Sequence, residues 1–295
     1  MLTMKTKSNR TKLCLVVPCL AVALIILVLL LFFAWQHYYP AQSATGWSVS
    51  IYRDNIPRVA GLLRDARGNL YVSQEFRNGK GIVFQLMPDG ARRNIISGLS
   101  QPSRMVSYKD GIIVSQEHPQ SPVLWWNEDK TETWFTGDHI EGIVLDGTLL
   151  FAVEDVKVKG RLLEYDLEEK EVRILRENLD EPEGVAVCPD GGLFFTEKKK
   201  GWIKRYTPGA DDIVVIRGLQ APTFLMCNDE GLWISEDRTH RARLLLLDAS
   251  GKIQTILSHL RAPQTIITLD RNHFLLAEQG RKRILQLKRH PDARR

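Results

Sequence analysis

The chain has 295 residues, 44% apolar and 25% charged, enough to bury a sizeable core and too apolar for a disordered chain. Its net charge of +5 sits at the ends: Lys5, Lys7, Arg10 and Lys12 supply four positive charges and the C-terminal KRHPDARR a net three, leaving the body at −2. A nearly neutral body lacks the basic footprint of a nucleic-acid binder, so no nucleic-acid partner is expected.

The first element in chain order is Leu13 to Trp35, "LCLVVPCLAVALIILVLLLFFAW", an uncharged run of 23 residues. That length crosses a bilayer as a helix. Basic residues before it, with no acidic one, keep residues 1–12 in the cytoplasm, and Trp35, Tyr38 and Tyr39 suit the far interface. A cleavable signal peptide is the competing reading, but its apolar region would be shorter, and "YYPAQSATG" is a poor cleavage site. The expected layout is a cytoplasmic tail (1–12), a transmembrane helix (13–35), a linker (36–46), a folded body (47–288) and a basic tail (289–295). The body then lies outside the cytoplasm, periplasmic or extracellular, with the membrane as a partner through residues 13–35. That compartment permits a disulfide. Cys188 and Cys227, the two cysteines of the body, are nevertheless expected as small buried residues, with pairing left open.

The body is repetitive. Its copies read "NLYVSQE", "GIIVSQE", "LLFAVE", "GLFFTE", "GLWISE" and "HFLLAE", ending at Glu75, Glu117, Glu154, Glu197, Glu236 and Glu278. The intervals are 42, 37, 43, 39 and 42 residues, the period of a repeat architecture. Each copy holds four short strand-like runs between turn residues, as in "GVAV", "GLFFT", "WIKRY" and "DIVVIRGL" of the fourth. The last copy has only three, and "WSVSIYRDNIP" at 47–57 precedes the first as a spare outer strand. An all-β, six-bladed β-propeller of four-stranded antiparallel blades follows, its ring closed by the N-terminal strand.

In that topology the lead-in to each innermost strand and the end of each second strand gather on one face, the top. There lie Arg58, Ser103, Arg104, His139, Glu141, Glu181, Glu183, Thr223 and Gln264, with His118, Asp237 and His240 on neighbouring loops. A residue repeated in every copy serves the copy first. Glu154, Glu197, Glu236 and Glu278 are each followed by an arginine in the third strand (Arg161, Arg205, Arg243 and Arg283), so a structural ion pair is expected. The "SQE" copies leave open whether Gln74 and Gln116, rather than Glu75 and Glu117, are the equivalents. Residues that break the repeat mark the recognition face: Arg58, Arg104, His118, His139, Glu141, Glu183, Asp237 and His240. Of these, His139, Glu141 and Glu183 could hold a divalent ion or move protons.

The block "PEGVAVCPDGGLFFTEKKKGWIKRYTPG" resembles repeats of the streptogramin (virginiamycin B) lyase propellers and, more loosely, NHL-repeat and gluconolactonase-type propellers. The gluconolactonase resemblance implies a divalent ion held by a Glu, two Asn and an Asp, but the matching positions are Ser103, Glu141, Glu183, Thr223 and Gln264. The lyase resemblance implies His and Glu with magnesium, and only His139 is comparably placed. Strictosidine-synthase-like proteins share the layout of anchor plus propeller. The expectation is a membrane-anchored propeller whose top face binds a small molecule or an envelope protein. Its alternative is a divergent metal-dependent lactonase or lyase using calcium or magnesium.

Overall fold

An uncharged apolar run must satisfy its own backbone polar groups, and a helix does so. In the computed structural model, which describes residues 7–290, that helix is Lys7–Tyr38. It is longer than the apolar run at both ends. Residues 1–6 of the expected tail and 291–295 of the basic C-terminus lie outside the described residues. Val17–Gln36 has a mean hydropathy of 3.1, and every side chain from Val17 to Trp35 is exposed. One helix is thus long and apolar enough to cross a membrane. It forms a compact unit of its own, separate from the body that begins at Ala41.

The body is a six-bladed propeller. Blade one consists of Val59–Arg64, Leu70–Gln74, Gly81–Leu86 and Arg92–Leu99, each antiparallel to the next. Blades two and three repeat this meander from Pro102 to Gly137 and from Ile140 to Leu179. Blade four is the shortest, with Val185–Val187 innermost and Ile213–Ile216 outermost. Blade five runs from Pro222 to Leu260 and gains a fifth strand from the expected linker, where Gln42 and Ser43 pair with Ser258 and Leu257. Blade six takes Pro263–Asp270, His273–Glu278 and Arg283–Arg289 from the C-terminus, and its outer strand, Trp47–Arg53, from the other end of the body.

That last pairing closes the ring, with Val49 opposite Leu287 and Arg53 opposite Ile284. Trp47 seals it by packing edge-on against Trp233, ring centroids 5.8 Å apart, and against Phe274 at 5.7 Å. Arg289, expected in the tail, is the last residue of the third strand. It covers the Trp47 ring and forms an ion pair with Glu230 of blade five.

Apolar residues on both faces of each blade bury against the neighbouring blades, so the core is divided among the interfaces. Phe84, Val72 and Leu62 meet Leu275 and Ile284 between blades one and six, for example, and Phe195 and Leu193 meet Phe151 and Val153 between blades four and three. Close approach near the axis explains the Pro-x-Gly lead-in. A Cβ on Gly184 would lie 1.8 Å from the Thr223 carbonyl, and one on Gly61 would lie 2.1 Å from that of Ser103.

The same convergence overturns the expectation for the cysteines. Cys188 and Cys227 are partly exposed and joined by a disulfide. They follow the same path in adjacent innermost strands, where the ring is narrow, and their Cα atoms are 4.9 Å apart. The bridge closes a loop across blades four and five, with a sequence separation of 39. Replacing both cysteines with alanine is expected to lower unfolding stability by about 2–4 kcal/mol, the loop-entropy range for such a separation. Thiol alkylation read by mass spectrometry checks the bridge: two cysteines react before reduction and all four after it.

Candidate functional site

Each blade begins with a non-glycine residue in the left-handed region: Arg58, Gln101, His139, Glu181, Ala221 and Ala262, with φ between 44° and 56°. The turn exposes a backbone N–H on the residue before it, and a second-strand side chain caps that donor. Glu154 Oε1 accepts from Asp138 N at 2.8 Å, Glu197 from Asp180 at 3.2 Å, Glu236 from Gln220 at 2.8 Å and Glu278 from Arg261 at 2.9 Å. Gln116 Oε1 does the same for Ser100 at 2.8 Å. In blade one the capped position is Pro57, which has no N–H, and Gln74 reverses the bond by donating Nε2 to the Pro57 carbonyl at 2.6 Å.

Gln74 and Gln116 are therefore the equivalents of the later glutamates. Charge explains the difference. The buried carboxylates have cations: Arg161 on Glu154, Arg243 on Glu236, and Arg281 with Arg283 on Glu278. Glu197 is held by Lys200 at 2.6 Å and Lys204 at 2.7 Å, not by the expected Arg205. Trp202 lies opposite Glu197, while Arg205 lies opposite Phe194 and pairs with Asp190. Gln74 faces Ile82, and Gln116 donates to the Pro122 carbonyl, so no cation balances a carboxylate there.

Glu75 and Glu117, grouped with these structural acids in the sequence, lie one residue further on and belong to a different ring. The next residue of each blade, Glu75, Glu117, Asp155, Lys198, Asp237 and Gln279, donates its backbone N–H to the carbonyl of the left-handed residue at 2.8–3.1 Å. Its side chain points into the channel mouth. Together with Arg58, Arg77, Gln101, Glu141, Glu183 and Gln264, these residues line a cavity of about 180 Å³. Glu141 and Gln264 come from the innermost strands and Glu183 from the lead-in to Val185–Val187; Ser103 and Thr223 hold the matching positions. In five of the six blades a register irregularity spans that position.

Carboxylate oxygens of Glu75, Glu117 and Glu141 all lie within 4.8 Å of one another. Burial, then the charge of Glu117, pushes the Glu75 carboxyl up to about 8, although Gln279 donates to it at 2.6 Å. Burial, then the charges of Glu117 and Glu75, raises Glu141 well above the ordinary range, and Ser103 Oγ donates to it at 2.8 Å. Asp155 is raised by burial to about 6, and its Oδ1 is buried without a hydrogen-bond partner. Lys198 reaches Glu183 at 2.5 Å and Asp237 at 3.5 Å. Burial works against its ammonium, but these carboxylates outweigh it and raise its pKa.

The remaining candidates are dispersed. Among the described residues that line the cavity there is no histidine. His139 turns to Asp138 at 3.0 Å, His118 sits 3.2 Å from Ser121 Oγ, and His240 lies on the loop after Asp237. Arg104 spans the lumen to the Leu225 carbonyl of blade five at 3.1 Å, and burial lowers its pKa to about 10. Sequence reading missed Asp155, Lys198 and Gln279, for which the only signal was register, one residue past the repeated acid, and also the turn residue Gln101 and the loop residue Arg77. An ion here would meet only oxygen donors, the chemistry of calcium and magnesium sites. The donor set is this chain's own, drawn mainly from second-strand ends and lacking asparagine.

The sequence model of the strictosidine synthase family matches residues 146–210. No curated protein sequence matches the chain. Among solved structures, a gluconolactonase from Xanthomonas campestris superposes with a TM-score of 0.70 at 11% identity, covering 84% of this chain and 91% of its own. Virginiamycin B lyase from Staphylococcus aureus gives 0.60 at 13% identity, covering 82% and 99%. An auxiliary nutrient binding protein from Bacteroides thetaiotaomicron gives 0.66 at 13%, covering 83% and 76%. At such identities the likeness is one of fold, shared by enzymes and a binding protein alike.

Two predictions follow from the two rings. Gln74→Glu would bury a carboxylate with neither an N–H nor a cation to meet it, and should cost about 3 kcal/mol of stability at neutral pH, read by denaturant unfolding. Glu75 holds its proton more tightly in the folded chain than in the unfolded one, where its value is 4.5. Its stabilising contribution is therefore complete below that value and lost as the pH rises through about 8. Without divalent cations, the melting temperature should fall across that window, and Glu75→Gln should flatten the fall.

Proposed function

We propose that the protein is a membrane-anchored propeller in an oxidising, extracytoplasmic compartment. Its channel mouth takes one calcium or magnesium ion on Glu75, Glu117 and Glu141 and holds an oxygen-bearing small molecule against it. The convergence of those three carboxylates within 4.8 Å carries this reading. Like charges at that distance must be protonated or neutralised, and a divalent ion is the neutralising partner that hard oxygen donors select. The volume of about 180 Å³ suits an ion with a small ligand head, not a drug-sized molecule. The apolar helix, the basic residues before it and the Cys188–Cys227 bridge support the compartment.

Hydrolysis of a lactone is the second reading, favoured by Asp155. When bound, a divalent ion polarises a carbonyl oxygen and acidifies a water. Glu75, Glu117 and Glu141 would hold that ion, and Arg58 would face a substrate oxygen from the rim. Asp155, raised to about 6 and with one oxygen unpartnered, would accept the proton of the attacking water. The gluconolactonase of similar fold adds analogy to this reading.

Melting the full chain in detergent, in calcium, magnesium or EDTA, tests the site. Stabilisation of about 2.7 kcal/mol is expected when free ion is 100-fold above its dissociation constant. Glu117→Gln should abolish the shift and leave the metal-free melt in place. A wild-type melt indifferent to both ions would remove the cation site, and no turnover across a lactone panel would remove the hydrolase.

A further inference from the structure

The channel-mouth ring carries a cation in only one of its six positions, Lys198. Its backbone sits like the other five, donating to the carbonyl of Glu181 at 3.0 Å. The neighbours in "EKKKG" do other work, since Lys200 turns outward to the structural Glu197. Lys198 instead folds inward, placing Nζ 2.5 Å from Glu183 Oε2 and 3.5 Å from Asp237 Oδ2. Calcium–oxygen distances are about 2.3–2.6 Å. An ion bridging Glu183 and Asp237 would therefore have to occupy the space the ammonium already fills.

From this geometry we infer that Lys198 is a built-in counter-ion. It closes the half of the mouth formed by blades four and five to metal and confines divalent binding to Glu75, Glu117 and Glu141. The inference rests on the cation site proposed above and adds its stoichiometry and the residue that sets it. The physical reason is charge. Six carboxylates converge here: Glu75, Glu117, Glu141, Asp155, Glu183 and Asp237. Without Lys198, Glu183 and Asp237 would face each other across the space its ammonium now fills, with Asp155 on the same cavity wall. Two divalent ions would then fit where the native chain takes one. A tethered ammonium neutralises a single charge permanently, needs no ion from solution, and leaves the other half of the mouth to hold an exchangeable one.

Equilibrium dialysis of calcium against the full chain in detergent, with bound ions counted per chain, is the test. Wild type is expected to bind one ion and Lys198→Gln two, while Lys198→Arg, which keeps the charge, stays at one. One ion in both wild type and Lys198→Gln, at equal affinity, overturns the role of Lys198 and leaves the cation site standing. No ion in wild type and one in Lys198→Gln supports the exclusion by Lys198 but sinks the proposed native site. No ion in either sinks both. Should Lys198→Gln fold only in calcium and unfold in EDTA, the ion has replaced the ammonium and the inference holds. Failure to fold in either condition overturns it, since Lys198 would then be a structural residue alone.

Discussion

The organisation of the top face depends on one recurring interaction: a left-handed turn before each innermost strand that is capped from the second strand, through an N–H in five blades and through the Pro57 carbonyl in the first. Holding a non-glycine residue at positive φ costs on the order of 1 kcal/mol or more, and the chain does so at the start of every blade. A charge-assisted hydrogen bond to a buried carboxylate returns roughly 1.5–3 kcal/mol. The turn carbonyl is used as well, accepting the N–H of the residue that follows the cap. Because both backbone groups of the turn are tied to the same second strand, the direction of that following side chain is set. It points into the channel.

Identical turns carrying different side chains produce an uneven mouth. Glu75, Glu117 and Glu141 crowd one part of it, and the mutual repulsion and burial appear as raised proton affinity at Glu75 and Glu141. Lys198 relieves the same problem elsewhere by tying Glu183 and Asp237 to a covalently held ammonium. The lumen below is spanned by Arg104, whose guanidinium reaches a backbone carbonyl on the far side.

Similar propellers in other proteins include a gluconolactonase, a lyase and a nutrient binding protein. The blades of such folds bury their apolar faces against one another and leave the ring residues unconstrained, so chemistry varies while the scaffold persists. In this chain the scaffold is reinforced at two places where it could open. Trp47 latches the N-terminal strand onto blade six against Trp233 and Phe274, and the Cys188–Cys227 bridge ties blades four and five near the axis.

What was legible in the sequence was local or periodic. The apolar run marked the helix and the forty-residue period with four runs per copy marked the blades, because each depends only on neighbours along the chain; the closure, a pairing of the two ends, was legible only by counting, since the strand at 47–53 was spare and the last copy one short. The structural pairs of Glu154, Glu236 and Glu278 with Arg161, Arg243 and Arg283 were visible for the same reason. A one-residue offset hid the rest. "SQE" and "VE" look alike as strings, yet strand register sends Gln74 and Glu75 to different environments, and only the ladder opposite Ile82 and Val59 tells them apart. The disulfide and the grouping of Glu75, Glu117 and Glu141 lay further out of reach. They join residues from different blades, and distances between blades are set by how the ring closes around its axis. By itself the sequence determined the repeating unit, the number of units and the apolar helix. Tertiary structure alone decided which carboxylates meet, because their meeting point lies on an axis that no single blade contains.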